Sequence, residues 1–295
     1  MREILVTGGN GQLGTELRRF AWPDGWGIVA VDVDELDLTD TAGIAALVAS
    51  RPWAAVISGA AYTAVDRAES DVTTAWAINA LAPAAFAQSC GKADIPLVQV
   101  STDYVFDGSK PGGWEVGDPV GPLNVYGASK LGGELAVTTG CKRHAIVRTS
   151  WVVSAHGNNF VKTMLRVGAE RDRLTVVDDQ HGAPTAAADL AAALATIAMR
   201  MADDQTIAGT WHFSNAGSTT WAGFAREIFA QAAKHGGPSP DVAPITTADY
   251  PVPAVRPTHS QLSHAAITRD FGIIPRPWQE PLTEIIDELY RKTTA

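Results

Sequence analysis

At 295 residues, 46% of them hydrophobic and 19% charged, the chain has room for about two domains, or for one large α/β domain with a smaller lobe. A net charge of −9 with no basic cluster argues against nucleic acid or an anionic membrane as a partner, and the longest apolar run, Leu190 to Met199, is alanine-rich and too short to cross a bilayer. Cys90 and Cys141 lie outside any CxxC spacing, so neither a disulfide framework nor a thiolate zinc site is expected, and both read as small buried residues.

The first residues, Met1 to Gly8, enter a strand without the basic-then-apolar layout of a secretion signal, which leads to the expectation of a cytoplasmic protein. Glu3 to Thr7 is a short apolar run, Gly11 to Phe20 has helical spacing, and Gly27 to Val31 is apolar again and stops at Asp32. The rhythm continues with a helix at Asp40 to Ser50, a strand at Ala54 to Ser58, a long alanine-rich helix at Asp71 to Gly91 and a strand at Pro96 to Ser101. A helix at Asn124 to Thr138 and a strand at Ala145 to Thr149 follow. Short strands alternating with longer helices predict an α/β fold, a Rossmann-like doubly wound parallel sheet with helices on both faces. After Trp151 the spacing predicts a helix at Asn158 to Glu170, a strand at Leu174 to Val177, a helix at Pro184 to Met201 and a strand at Thr210 to Ser214. The remainder reads as irregular, with turns at Gly236 to Pro240 and Tyr250 to Pro253, until an amphipathic helix at Trp278 to Arg291. This order suggests a dinucleotide-binding domain over 1–152, with 184–214 returning to its sheet. A smaller C-terminal lobe formed mainly by 153–295 would bind substrate at the C-terminal edge of the strands.

Between the first strand and first helix stands Thr7-Gly8-Gly9-Asn10-Gly11-Gln12-Leu13-Gly14, a GxxGxxG spacing. A missing Cβ permits a tight turn at Gly8, a close backbone approach to a pyrophosphate at Gly11 and close helix packing at Gly14, while the helix N-terminus offers free N–H groups to the phosphates. Asp32, eighteen residues beyond Gly14, is placed to accept from an adenosine ribose diol and would repel a 2′-phosphate. Arg18 and Arg19 offer an opposing charge, and a strand-end turn role suits Asp32 as well, so NADH and NADPH both remain open. The small residues at Gly59-Ala60-Ala61-Tyr62 would let the adenosine half lie against the backbone, or they serve tight packing. Tyr126 and Lys130 in Tyr126-Gly127-Ala128-Ser129-Lys130 are four apart, so on a helix an ammonium stands beside a phenol and favours its ionisation. With the Thr102 hydroxyl upstream, the three supply a proton donor, a cation to tune it and a group to hold a carbonyl, which points to reduction of a ketone.

The segments AAYTAVDRAE (60–69), STDYVFDG (101–108), YGASK (126–130), RTSW (148–151), NNFVKTMLR (158–166), DDQHGAPT (178–185) and RPTHSQL (256–262), with the glycine turn, span nearly the whole chain. Together they resemble the dTDP-4-dehydrorhamnose reductases of the extended short-chain dehydrogenase/reductase superfamily. The resemblance implies that Tyr126 protonates a C4 keto oxygen as nicotinamide delivers hydride to C4, that Lys130 lowers the phenol's pKa and holds the nicotinamide ribose, and that Thr102 orients the same oxygen. It further implies a dTDP-linked 4-keto-6-deoxy sugar as substrate, with Trp151 stacking on the sugar and Arg256 available to the diphosphate; Asp103 is placed to contact the sugar or to cap its loop, and Asn159 and Gln180 to bond substrate, although amides at helix starts and loops more often satisfy backbone groups. The related sugar-nucleotide dehydratases carry an Asp-Glu pair after the threonine, whereas this chain has Asp103-Tyr104, which favours plain carbonyl reduction. Glu16 aligns with a carboxylate that family members offer to Mg²⁺ at a subunit contact, while an exposed first-turn glutamate favoured by the helix dipole is the commoner explanation. His181 is assigned no catalytic role. A homodimer is the default expectation for a soluble enzyme. Two alternatives use the same residues: a non-catalytic dinucleotide-binding regulatory subunit, and a reductase of another nucleotide-linked 4-keto sugar.

Overall fold

The computed structural model describes residues 1–293. β1 (Arg2–Thr7), α1 (Gln12–Arg19), β2 (Trp26–Val31), α2 (Thr41–Ala49) and β3 (Ala55–Ser58) come first, then the short α3 (Val65–Ala68) and α4 (Val72–Trp76). A π-helical turn at Ala77–Leu81 joins α4 to α5 (Ala82–Ala93), and β4 (Leu97–Thr102), α6 (Val125–Gly140) and β5 (His144–Thr149) follow. Next are β6 (Val152–Val153), α7 (Phe160–Glu170), β7 (Arg173–Val177), β8 (His181–Gly182), β9 (Thr185–Ala186), α8 (Ala187–Asp203) and β10 (Gly209–His212). The chain closes with β11 (Thr219–Thr220), α9 (Trp221–Ala233), β12 (Asp241–Ile245), α10 (Ala265–Phe271) and α11 (Gln279–Thr293).

Six strands form one all-parallel sheet in the order β2-β1-β3-β4-β5-β10. Because the strands are covered on both faces, they read as continuous apolar runs rather than alternating ones. Ile4, Val6, Ile57 and Val147 face α1, α8 and α10 through Leu17, Leu190, Leu194 and Ile267. Leu5, Val56, Leu97 and Ile146 face α2, α5 and α6 through Ile44, Phe86 and Val137. The order of strands reverses between β1 and β3, and in such sheets the crevice at that switch point, outside the C-terminal ends of the strands, is where ligands bind.

The expected long helix at 71–91 is interrupted. Pro83 has no N–H to give the Asn79 carbonyl, so the ladder widens to a π turn at Ala77–Leu81 before α5 resumes. The stretch after Ser214, read as irregular, holds α9, β12 and α10. Thr220 caps α9 by accepting from the Gly223 N–H at 3.0 Å, and Ala225, Ile228, Phe229 and Ala232 supply a buried stripe at helical spacing. β12 contains Pro244 and pairs in parallel with β7 alone, which leaves the proline no ladder bond to break on its other side. Phe224, Ile228, Leu282 and Ile286 join α9 and α11 in a second core with Val161 of α7. Both cysteines are buried and unpaired by any disulfide.

Candidate active site

The end of β1 is tied to the end of β3 across the switch point. Thr7 Oγ1 accepts from the Gly59 and Ala60 N–H groups at 3.1 and 3.2 Å. Gly8 takes a φ of +78°, which L side chains rarely adopt, and a Cβ there would lie 3.1 Å from Ala60 Cα. A Cβ on Gly14 would lie 2.1 Å from the Gly8 carbonyl oxygen, so α1 packs on the turn only because that atom is missing. Gly11 begins α1 with no side-chain cap. Helix N–H groups without an internal acceptor are a ready anion site, so the turn fits a dinucleotide pyrophosphate. Beside it a cleft of about 230 Å³ is lined by Thr7, Gly8, Asp32, Asp37, Ala60 and Ala61. Asp32 accepts from the Asn10 N–H at 2.6 Å and the Val33 N–H at 2.8 Å, while Arg18 donates to Asn10 Oδ1 and the Ala30 carbonyl. Leu13 packs against Gly59, and Gln12 Oε1 accepts from Ser154 and Asn159, each at 2.9 Å.

At the C-terminal end of β4 the chain bends through a single 3-10 turn, Asp103–Val105. Thr102 Oγ1 caps it, accepting from the Tyr104 N–H at 3.2 Å and donating to Asp103 Oδ1 at 2.9 Å. α6 begins opposite. Asn124 Oδ1 accepts from the Gly127 N–H at 2.8 Å, and a Cβ on Gly127 would fall 2.2 Å from the Tyr104 carbonyl oxygen, so helix and turn touch. That approach brings Tyr126 edge-on to Tyr104, with ring centroids 5.5 Å apart, and within reach of the Thr102 hydroxyl.

Tyr126 keeps part of its surface open, yet burial pushes its phenol up to about 12, against a lowering by the Thr102 hydrogen bond and with a further rise from Asp103. The expected depression by Lys130 is not found here. Lys130 Nζ donates to the Val100 carbonyl at 2.7 Å, and burial lowers the ammonium to about 8, partly offset by Glu134. An i,i+4 spacing puts both side chains on one face, but burial dominates both shifts and neither group is among the causes of the other's displacement. Asp103 is 2% exposed and sits behind Thr102; burial pushes its carboxyl up to about 7.

Farther out, Trp151 has a φ of +46° and stacks on Trp221, with centroids 3.6 Å apart and planes 12° from parallel. One face of the expected sugar platform is therefore covered by a second indole. Arg256 holds Asp66 with both arms, at 3.0 and 2.7 Å, so its planar fork meets a carboxylate of the chain itself rather than standing open. Asn159 caps α7, and its amide donates to Gln12, the Ser154 carbonyl and the His156 carbonyl; Gln180 joins Thr247 to Trp221. Both amides serve internal bonds rather than offering open donors, because each lies where a helix start or loop leaves backbone or side-chain groups to be satisfied. Tyr62 is tied by its backbone to the Asn79 amide and by its hydroxyl to Asp71. The surroundings of Glu16 do not fit a divalent ion: His156 stands 3.1 Å from its carboxylate and Arg19 3.7 Å away, and Arg19 also pairs with Glu288 at 2.7 Å. An added cation would have to displace an arginine.

Four residues given no role from the sequence, Asn79, Glu134, Arg148 and His212, support this site. Asn79, 1% exposed in the π turn, donates to the Tyr62 carbonyl and to Ser129 Oγ at 3.0 Å, joining the end of β3 to the helix of Tyr126 and Lys130. An amide in an alanine-rich helix was the available signal. Glu134 and Arg148 form a buried two-armed pair at 2.9 and 2.7 Å between α6 and β5. Next to Arg148, His212 is held neutral, lowered to about 3 by burial and then by the arginine charge.

A doubly wound sheet with a glycine turn at its switch point and a Thr-Tyr-Lys set beside it is the arrangement of the short-chain dehydrogenase/reductases. The chain belongs to the RmlD substrate binding domain family, whose profile matches residues 1–291. It is 40% identical to the dTDP-4-dehydrorhamnose reductase of Sinorhizobium fredii over 285 residues, 96% of each chain. Among solved structures, the Clostridium acetobutylicum dTDP-4-dehydrorhamnose reductase superposes with a TM-score of 0.91 at 38% identity, covering 97% of this chain and 99% of that one. The Bacillus anthracis enzyme of the same name, solved in complex with NADP, gives 0.90 at 37% identity, covering 98% of this chain and all of that one.

Proposed function

We propose that this chain reduces the C4 keto group of dTDP-4-dehydro-6-deoxy-L-mannose, also called dTDP-4-dehydro-β-L-rhamnose, to dTDP-L-rhamnose in the synthesis of cell-surface polysaccharide. The observation that carries the reading is the meeting of Tyr126 and Thr102 at the end of β4, next to a glycine turn whose missing Cβ atoms suit a dinucleotide. The family and its similarly named relatives support the substrate. Residues 1–152 with 184–214 hold the dinucleotide in this reading, and the rest of 153–295 holds the sugar nucleotide.

Gly8, Asn10, Gly11, Gln12, Leu13 and Gly14 cradle the pyrophosphate, with Asp32, Ala60, Ala61 and Tyr62 on the adenosine side. NADPH or NADH, when bound, supplies the hydride. Tyr126, with its pKa above neutrality, is protonated at physiological pH and gives its proton to the C4 oxygen. Thr102 donates to the same oxygen, a bond that strengthens as negative charge gathers there. Lys130, within its helix, keeps a positive charge near the developing tyrosinate and holds the nicotinamide ribose. Trp151 offers an edge or, after Trp221 shifts, a face to the sugar, while Arg256 turns from Asp66 toward the diphosphate. The described residues contain no helix long and apolar enough to cross a membrane, which suits a cytoplasmic setting; a symmetric dimer completes the reading and is checked by light scattering with and without Mg²⁺.

The test is loss of nicotinamide absorbance with this 4-keto sugar nucleotide, parent against Tyr126→Phe. The substitution is expected to leave dinucleotide affinity near the parent value and to reduce turnover by about 10²-fold or more, the scale of a lost general acid. Equal turnover would remove Tyr126 from the reaction, and no turnover in the parent would remove the substrate.

A further inference from the structure

Thr102 has one hydrogen and two lone pairs with which to serve the reacting oxygen, the turn and Asp103. One lone pair takes the Tyr104 N–H. While Asp103 is ionised its Oδ1, 2.9 Å away, can only accept, so the threonine hydrogen goes to it and the hydroxyl shows a lone pair toward Tyr126 and the cleft. A carbonyl oxygen is also an acceptor and gains nothing from it. The bond expected of Thr102 in the reduction therefore requires its hydrogen to be released from Asp103. The carboxyl group can release it by carrying a proton of its own. Its O–H then donates to Thr102 Oγ1, both threonine lone pairs are filled, and the threonine hydrogen is left for the cleft.

Building on the reductase reading above, we propose that Asp103 is a positioning residue whose carboxylic acid form turns the Thr102 hydroxyl toward the substrate carbonyl and whose carboxylate form turns it away. The surroundings favour the acid. Asp103 Oδ2 is enclosed and has no hydrogen-bond partner, and burial outweighs the lowering of the carboxyl by the Thr102 and Ser260 hydroxyls and the Asp103 and Tyr104 N–H groups. An ionised oxygen in that position would be uncompensated. Among the described residues, the titratable groups that act with Asp103 are the Tyr104 phenol of its own turn and the Tyr126 phenol of α6. Arg256 and Asp66 act one step away, on Tyr104, and the Lys130 ammonium is bonded to Val100. The upward displacement of the carboxyl to about 7 puts the exchange of forms in the physiological range.

The inference is tested by kcat against pH for the parent, Asp103→Asn and Thr102→Val, using dTDP-4-dehydro-6-deoxy-L-mannose and saturating NADH. Parent turnover should fall about fourfold between about pH 6 and about pH 7.5 as the acid form is lost and before Lys130 gives up most of its charge, whereas Asp103→Asn, whose amide donates to Thr102 at every pH, should change less than about twofold over that range. Thr102→Val should be slower throughout and should lack the fall near neutrality, because Asp103 then has no hydroxyl to turn. A fall of the same size in Asp103→Asn, or its survival in Thr102→Val, overturns the proposal. Unfolding of the ligand-free protein reads the same proton without turnover. A carboxyl whose folded pKa is raised holds a proton that the unfolded chain has already released above about pH 4, so stability from this group declines from there to about pH 7. Asp103→Asn should thus have the higher Tm at about pH 8 and no advantage at about pH 4; equal Tm at about pH 8 also overturns the proposal. A parent with no turnover on this substrate defeats the functional reading instead, and the inference with it.

Discussion

The glycine turn and the pocket at the end of β4 lie along the same edge of the sheet and are built by opposite means. In the turn, shape dominates: missing Cβ atoms at Gly8 and Gly14, a threonine bridging two strand ends, and backbone N–H groups at the start of α1. In the pocket, buried titratable groups dominate, and all three are displaced, Tyr126 and Asp103 upward and Lys130 downward. Desolvation moves each toward its neutral form. A shape-built site should be indifferent to pH and intolerant of a methyl group, while a charge-built site should show the reverse.

The contrast is tested most severely at the pocket's support. Arg148→Ala leaves Glu134 buried without its partner and should lower unfolding free energy by about 3–5 kcal/mol in urea titration, with no gain from added salt. In the turn, Gly14→Ala meets backbone atoms that cannot swing away and should cost about 1–3 kcal/mol of stability in the ligand-free protein. Its control is Gly11→Ala, where the added Cβ meets only the Gly8 oxygen at 3.3 Å: folding should hold while NADH affinity drops in fluorescence titration. Lys130→Met sharpens the pH side. The folded pKa of Lys130 lies below its unfolded value of 10.5, so the cost of enclosing the ammonium is present below about pH 8 and shrinks as pH rises from there. The variant should gain on the order of 1–3 kcal/mol at neutral pH and lose that gain by about pH 10.5. The smallest effect is expected at Asp32→Asn, which removes a charge facing the adenosine side and should shift relative affinity toward NADPH by about tenfold, measured by competition between the two dinucleotides.

The turn was legible in the sequence because its chemistry is local. Eight consecutive residues between a strand and a helix carry it, and the glycine spacing has few other physical uses. The helix starts at Asp40 and Asn124 were expected for the same reason, and each residue caps its helix through a contact two or three residues along the chain. The Thr220 cap and the apolar spacing of α9 were equally local and were obscured by the turn-forming residues around them.

The pocket was only half legible. Residue order was enough to bring Tyr126, Lys130 and Thr102 to one strand edge, since alternating strands and helices admit few arrangements of a parallel sheet. The tertiary structure alone decided that Lys130 bonds to Val100, that Arg256 meets Asp66, that Trp221 covers a face of Trp151, and that Asp103 is enclosed behind Thr102. Three of these partners are tens of residues apart in the chain, and the fourth is a neighbour whose burial is set by segments that fold over it. Local spacing specifies which face a side chain takes; the desolvation that displaces its pKa depends on everything packed around that face.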